Sequence, residues 1–206
     1  MPRVLSEADI ADFRERLCAK AAQLFVEKGI HGVTIRELAS ALGVSAMTPY
    51  RYFRDKDDIL AAVRARAFDR FVETLENAYA QGCNSAEHSH AVGLAYVQFA
   101  LEESASYRLM FDLSQPSEGQ YPDLVRAAER ARATMTSHVR QLVADKVLVG
   151  DPELIGTVFW VALHGAVTLQ LAGKLSPQFK RTTQYGIDNI VSEMMSALGE
   201  WFRFKH

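Results

Sequence analysis

Ser45, Ala46, Met47, Thr48, Tyr50 and Arg51 crowd into seven consecutive positions. Most of these side chains are short or hydrogen-bonding, so a backbone that carries them can approach base edges and phosphates closely. Lys56 follows, in what reads as the first turn of a helix capped by Asp55. A lysine there opposes the helix macrodipole. It makes sense if a phosphate occupies that end, where free N–H groups and dipole both favour an anion. The chemistry on offer is recognition of DNA. The competing reading is a structural corner between two helices that happens to carry a surface lysine.

The surrounding elements have to position those residues. In TIRELASALGVSAMTPYRYFRDK, Thr34 is a helix cap, with Glu37 placed for a capping box. Ile35, Leu38, Ala39 and Leu42 recur at helical spacing. Gly43 ends that helix where a positive φ is cheap, and Val44 pins the turn to the core. Ser45 then caps a second, short helix running to about Tyr52 or Phe53. Two helices joined by a tight glycine turn make a helix-turn-helix, whose second helix fits the major groove.

From Ala22 to Leu60 the chain resembles the N-terminal domain of the tetracycline-repressor (TetR) family of bacterial transcription regulators. The residues behind this are Ala22, Phe25, Gly29, Gly32, Thr34, Ile35, Leu38, Ala39, Gly43, Val44, Ser45, Tyr50, Tyr52, Phe53, Lys56 and Leu60. Tyr52 stands where many members have histidine, and Pro49 where an aliphatic residue is usual. Proline lacks a donor and biases Thr48 away from αR, which disturbs the regularity expected of the second helix. The resemblance implies an all-α protein of about nine helices. A helix-turn-helix domain would span residues 1–55, and a bundle for ligand binding and dimerisation residues 56–206. It implies base readout by Ala46, Met47 and Thr48, joined by Arg36, with phosphate contacts from Thr34, Ser45, Tyr50, Arg51 and Lys56. The implied partners are a near-palindromic double-stranded operator, a second copy of the chain and a small-molecule effector; no membrane is involved. Trp160, His164 and Gly165 in FWVALHGAV also resemble the WHG type of C-terminal domain within the family.

Composition sets the bounds. A chain of 206 residues holds one substantial domain or two small ones. With 49% hydrophobic and 23% charged residues it reads as an ordinary soluble globular protein. Residues 1–56 carry nine Lys/Arg against seven Asp/Glu, and the remainder fourteen against eighteen, so the basic end is the end with the motif. The bias is small, and DNA affinity must come from placed contacts rather than a broad field. Cys18 and Cys83 are too few for a disulfide framework or a zinc site. MPRVLSEADI has no apolar core of a signal peptide, so a cytoplasmic protein is expected. His88 and His90 lack a third metal ligand nearby in sequence. No cofactor, nucleophile–base pair or phosphate loop is expected. The rival class is an all-α enzyme or small-molecule carrier with a merely structural helix-turn-helix.

Apolar periodicity places the other helices at about 6–28, 55–82, 86–104, 106–113, 121–148, 151–172 and 178–204, with no strand pattern. In the second of these, Arg64, Arg66, Asp69 and Arg70 are expected to face outward. Residues 155–173 carry no charge and nearly reach the length of a membrane span. Thr157, His164, Thr168, Gln170 and two internal glycines favour instead a helix buried on most sides. That helix is apolar on two sides and one domain covers only one of them, so a second copy would bury the other. Gly156 and Gly165 permit close helix approach. A two-fold pair would set the recognition helices about 34–36 Å apart or somewhat more.

The family's usual input, on this resemblance, is a small, mostly apolar molecule inside the bundle. Its candidate contacts are Phe68, Phe71, Tyr96, Phe99, Met110, Phe111, Met135, Phe159 and Trp160. The plainer reading is that these are the core. His138 lies in an apolar stripe, and His164 aligns with Thr157, Val161 and Thr168 as a polar seam. A few polar groups in an apolar cavity orient a ligand; the alternative is a buried histidine on a backbone carbonyl, or a dimer contact. A ligand-free regulator would show a solid core at both histidines.

Overall fold

A computed structural model describes residues 6–111, 118–175 and 186–203. Ser6 opens α1 (Glu7–Gly32) through a reciprocal box: Asp9 N–H donates to Ser6 Oγ at 3.1 Å, and Ser6 N–H donates to the Asp9 carboxylate at 3.0 Å. The helix breaks at Gly29, where φ is +73°, and resumes briefly to Gly32. Thr34 caps α2 (Ile35–Ala41), its Oγ1 accepting from Glu37 N–H at 3.2 Å. Glu37 does not reach back to complete the box, because its carboxylate pairs with Lys28. That bond holds the Glu37 carboxyl below its ordinary pKa.

After Gly43 (φ +67°) comes a turn and then one 3₁₀ segment, Pro49–Arg51. Asp55 caps α3 (Lys56–Tyr79), with Asp58 N–H donating to its Oδ1 at 2.8 Å. There follow α4 (Ser85–Glu102), α5 (Ser104–Phe111), a 3₁₀ turn at Glu118–Gln120, α6 (Pro122–Ala144), α7 (Pro152–Leu171) and α8 (Ile187–Arg203). Asp151 caps α7 with Pro152 in its first turn, as the sequence pattern requires. No strand occurs among the described residues. The fold is all-α, with eight α-helices among the described residues, and the 3₁₀ segment at Pro49–Arg51 stands where a ninth was expected. The expected start of the last helix near residue 178 lies outside the described residues, as does the end near residue 113 expected for the helix that became α5.

The chain packs as two compact units. The first takes residues up to Phe68 together with Arg108–Ala128. Phe13, Leu17, Phe25, Leu38, Phe53, Ile59, Leu60 and Leu109 share its core, so packing carries this unit past residue 55 into α3. Arg64 is not outward: it is 5% exposed, and its Nη2 donates to the Met110 carbonyl at 3.0 Å. A guanidinium tolerates burial when carbonyls receive its donors.

The second unit takes Asp69–Tyr107 and the chain from Glu129 onward. Phe71 meets Tyr96 and Phe99 edge-on at 5.3 and 5.1 Å, while Val139, Leu142, Ile155, Phe159 and Phe202 share a core cluster. A Cβ on Gly156 would stand 2.8 Å from Thr136 Cγ2, so this glycine is what lets α7 approach α6. By length and composition α7 could cross a membrane. It packs instead against α4 and α8. It is not buried on most sides, however, since only 33% of its apolar window is covered. Leu154, Val161 and Leu169 are exposed along it.

Candidate nucleic-acid interface and ligand cavity

Pro49 decides the form of the recognition segment. It has no N–H to give, and the bonds here close mainly over three residues. Thr48 N–H donates to Ser45 C=O at 2.9 Å, Arg51 N–H to Thr48 C=O at 3.1 Å and Tyr52 N–H to Pro49 C=O at 3.0 Å. Thr48 nevertheless holds αR (φ −62°, ψ −46°), against the usual bias before proline. The Ser45 side chain pairs with Thr48 Oγ1 at 3.0 Å.

Pro49 and Phe53 turn inward and are buried. Ser45, Ala46, Arg51, Met47 and Tyr50 are exposed, Met47 at 69% and Tyr50 at 50%, and Thr48 is half-buried. Five of the six side chains nominated on this segment are thus open to solvent, and Arg36 is exposed on α2. Thr34 uses its oxygen as a cap, which leaves its hydroxyl proton to give. Lys56 is half-buried, and its Nζ donates to the Ile30 carbonyl at 2.9 Å. That bond alone accounts for a lysine in the first turn, although two of its three N–H donors remain for an anion.

A groove of about 380 Å³ lies in the second unit between α4 and α8. Ala86, Ser89, His90, Gly93 and Leu94 line one wall; Asp188, Ser192, Met195, Ser196, Gly199 and Arg203 line the other; Leu142, Leu148 and Phe159 also contribute. Each wall follows the i, i+3, i+4, i+7 spacing of one helix face. The gap exists because the walls are small: a Cβ on Gly93 or on Gly199 would meet nothing within 4 Å. Its volume is in the range of roughly 300–1,000 Å³ usual for small-molecule sites.

The aromatic and methionine candidates do not converge on this groove. Phe159 lines it. His138 touches it through Ser89, whose Oγ lies 3.0 Å from His138 Nδ1, and burial drives His138 down to a pKa of about 4. Phe71, Tyr96 and Phe99 pack on one another, and Met135 is buried. Phe68, Met110 and Phe111 belong to the other unit, where Phe68 meets Phe111 edge-on at 5.7 Å. Large apolar side chains are the best core formers, and most of the set does that.

His164 separates from its expected seam. Thr157, Val161 and Thr168 are exposed, whereas His164 Nδ1 lies 2.6 Å from the Tyr107 hydroxyl and 3.4 Å from that of Tyr96. The two hydroxyls are 2.7 Å apart, and the Trp160 ring is 6.1 Å from the imidazole. Burial raises both tyrosines above the ordinary phenol range and lowers His164. The cluster is therefore a neutral hydrogen-bonded network. Tyr107 is not among the sequence candidates, because one tyrosine in a short helix carries no pattern. Arg14 gives no signal either, because a lone arginine in a long amphipathic helix reads as an ordinary surface residue.

Two family profiles match the chain. One, described as tetracyclin repressor-like, C-terminal domain, covers residues 89–197; the other, bacterial regulatory proteins, tetR family, covers residues 17–63. The chain belongs to the TetR family. This is a family of DNA-binding transcriptional regulators, and its C-terminal profile spans Trp160, His164 and Gly165. Among curated relatives, the HTH-type transcriptional activator FasR of Mycolicibacterium smegmatis is 29% identical over 118 residues, 57% of this chain and 54% of FasR. The match thus spans about half the length of that relative. Among solved structures, a protein of unknown function from Rhodococcus sp. RHA1 superposes with a TM-score of 0.81 at 24% identity, covering 98% of this chain and 99% of that one. The TetR-family regulator PfmR of Thermus thermophilus gives 0.65 at 20% identity, covering 90% and 97%. These likenesses concern the fold.

Proposed function

We propose that this TetR-family chain works in the cytoplasm as a homodimeric repressor. It reads a near-palindromic operator through Ala46, Met47, Thr48 and Arg36, and grips phosphates through Thr34, Ser45, Tyr50, Arg51 and Lys56. The observation that carries this is the segment at residues 45–53, with Pro49 and Phe53 buried and Ser45, Tyr50 and Arg51 exposed. No catalytic role is assigned to the chain.

Support for a dimer comes from the second unit. Val161 on α7 and Trp201 on α8 are 60% and 65% exposed, costly for apolar side chains unless a partner covers them. On α8, Ile190, Met194, Ala197 and Trp201 form one face, on the opposite side from Asp188, Ser192 and Gly199 of the groove. Pairing through the first face leaves the groove open to an effector.

The effector is a small, largely apolar molecule seated in that groove against Phe159. It lowers operator affinity only by as much as it prefers the non-binding state; a tenfold preference is worth about 1.4 kcal/mol per site. Activation is the second reading, favoured by the name of FasR. Genome-wide footprinting followed by a reporter fused to the protected promoter tests both. Deleting the gene should raise expression; a fall would reverse the sign. Gly199→Phe should fill the groove and abolish release by effector while leaving operator binding intact.

A further inference from the structure

The recognition segment does not hold its own shape. Three residues of 3₁₀ helix with mostly i→i−3 bonds are a marginal element, and Pro49 removes one of the donors that would lengthen it. Something outside must fix its direction. The structure shows such a contact, made by α1.

Arg14 Nη1 donates to the Tyr52 carbonyl at 2.5 Å, and the guanidinium carbon lies 4.2 Å from the Phe53 ring centre. Next to it, the Phe13 ring sits 4.4 Å from that of Tyr52. Tyr52 is the residue at which the 3₁₀ segment ends. A carbonyl at that end has lost its helical partner, and a cation there also suits the local dipole. The planar guanidinium can give a hydrogen bond in its plane while stacking through its face. At the other end of the segment, the Ser45–Thr48 contact is exposed and local. Beyond the burial of Pro49 and Phe53, the side-chain hydrogen bond that holds the end of the segment therefore comes from α1.

We propose that Arg14 is a positioning residue for operator recognition: it fixes the recognition segment through Tyr52 and Phe53, and so sets affinity and discrimination without touching DNA. This rests on the reading of residues 45–51 as the DNA-facing element. A cationic phosphate ligand would behave differently, because losing one from each subunit of the dimer lowers the log–log salt slope by about 1.8.

The test uses the full chain with Arg14→Met, which keeps the apolar stem, and Arg14→Lys, which keeps the charge. Duplexes are first selected by the wild-type protein from a randomised pool, then titrated at several salt concentrations beside an unselected duplex. Amide hydrogen exchange at Tyr50–Phe53 is measured without DNA. Arg14→Met should lose about tenfold or more in affinity for the selected duplex. Its binding to the unselected duplex and its salt slope should not change, and exchange at Tyr50–Phe53 should quicken. Arg14→Lys should recover part of each effect. Unchanged affinity, or a slope reduced by about one phosphate contact per subunit, overturns the proposal. If the wild-type protein selects no duplex, the DNA reading fails, and hydrogen exchange still judges the clamp: unaltered protection at Tyr50–Phe53 refutes it.

Discussion

Val161→Ala should weaken dimerisation without harming the protomer. Val161 is 60% exposed in the single chain, so about six-tenths of its side chain is still available for burial by a partner. Removing two methyl groups costs about 1.6 kcal/mol when they are fully buried, at ~0.8 kcal/mol per carbon. The share that dimerisation would bury is then about 1 kcal/mol. A two-fold interface counts each residue twice, giving about 2 kcal/mol per dimer. At 1.4 kcal/mol per tenfold, the dimer dissociation constant should rise about 30-fold. An exposed substitution of this kind changes protomer stability by about 0.5 kcal/mol or less. Sedimentation equilibrium across a concentration series measures the first quantity, and urea unfolding of dilute protein the second. An unchanged dissociation constant, or a wild-type chain that is monomeric at high concentration, would refute the reasoning.

Three further outcomes are expected. Tyr50→Ala should weaken operator binding but leave the log–log salt slope and the melting temperature unchanged, because a neutral hydroxyl releases no counterion; fluorescence anisotropy across salt checks it. Gly156→Ala should gain about 1 kcal/mol of helix propensity but lose more to the Thr136 contact. The net is a melting point lower by a few degrees, seen by calorimetry at fixed protein concentration, whereas a rise would show that α6 and α7 yield easily. The third concerns acid. The unfolded chain protonates His138 near pH 6.5 and the folded one only near about 4, so its contribution is whole above pH 6.5 and falls as pH drops towards 4. The loss is about 3 kcal/mol, and His138→Gln should flatten that part of the pH–stability curve from urea titrations.

Local signals made most of the fold readable. Ser6, Thr34, Asp55 and Asp151 each bind the first-turn N–H expected of a cap, and Gly29 and Gly43 take the positive φ that ends or bends a helix. The exposure of Met47, Tyr50 and Arg51 beside a buried Pro49 follows from their positions along a short turn. What failed depended on partners distant in sequence. Arg64 looked like a surface residue until the Met110 carbonyl, 46 residues away, gave its guanidinium somewhere to go. The ligand set was drawn from size and apolarity, and those properties select core residues as readily as pocket walls. The groove exists through the opposite property, smallness at Ala86, Gly93, Ser196 and Gly199. Small residues read as unremarkable until the helices that carry them are seen face to face.

Hydroxyl-radical footprinting of the full-length protein on its selected duplex tests the central claim most directly. The account predicts two symmetric protected patches about one helical turn apart or somewhat more, both weakened in the Tyr50→Ala protein at the same concentration. A single patch, protection that survives Tyr50→Ala unchanged, or no protected duplex at all would contradict it.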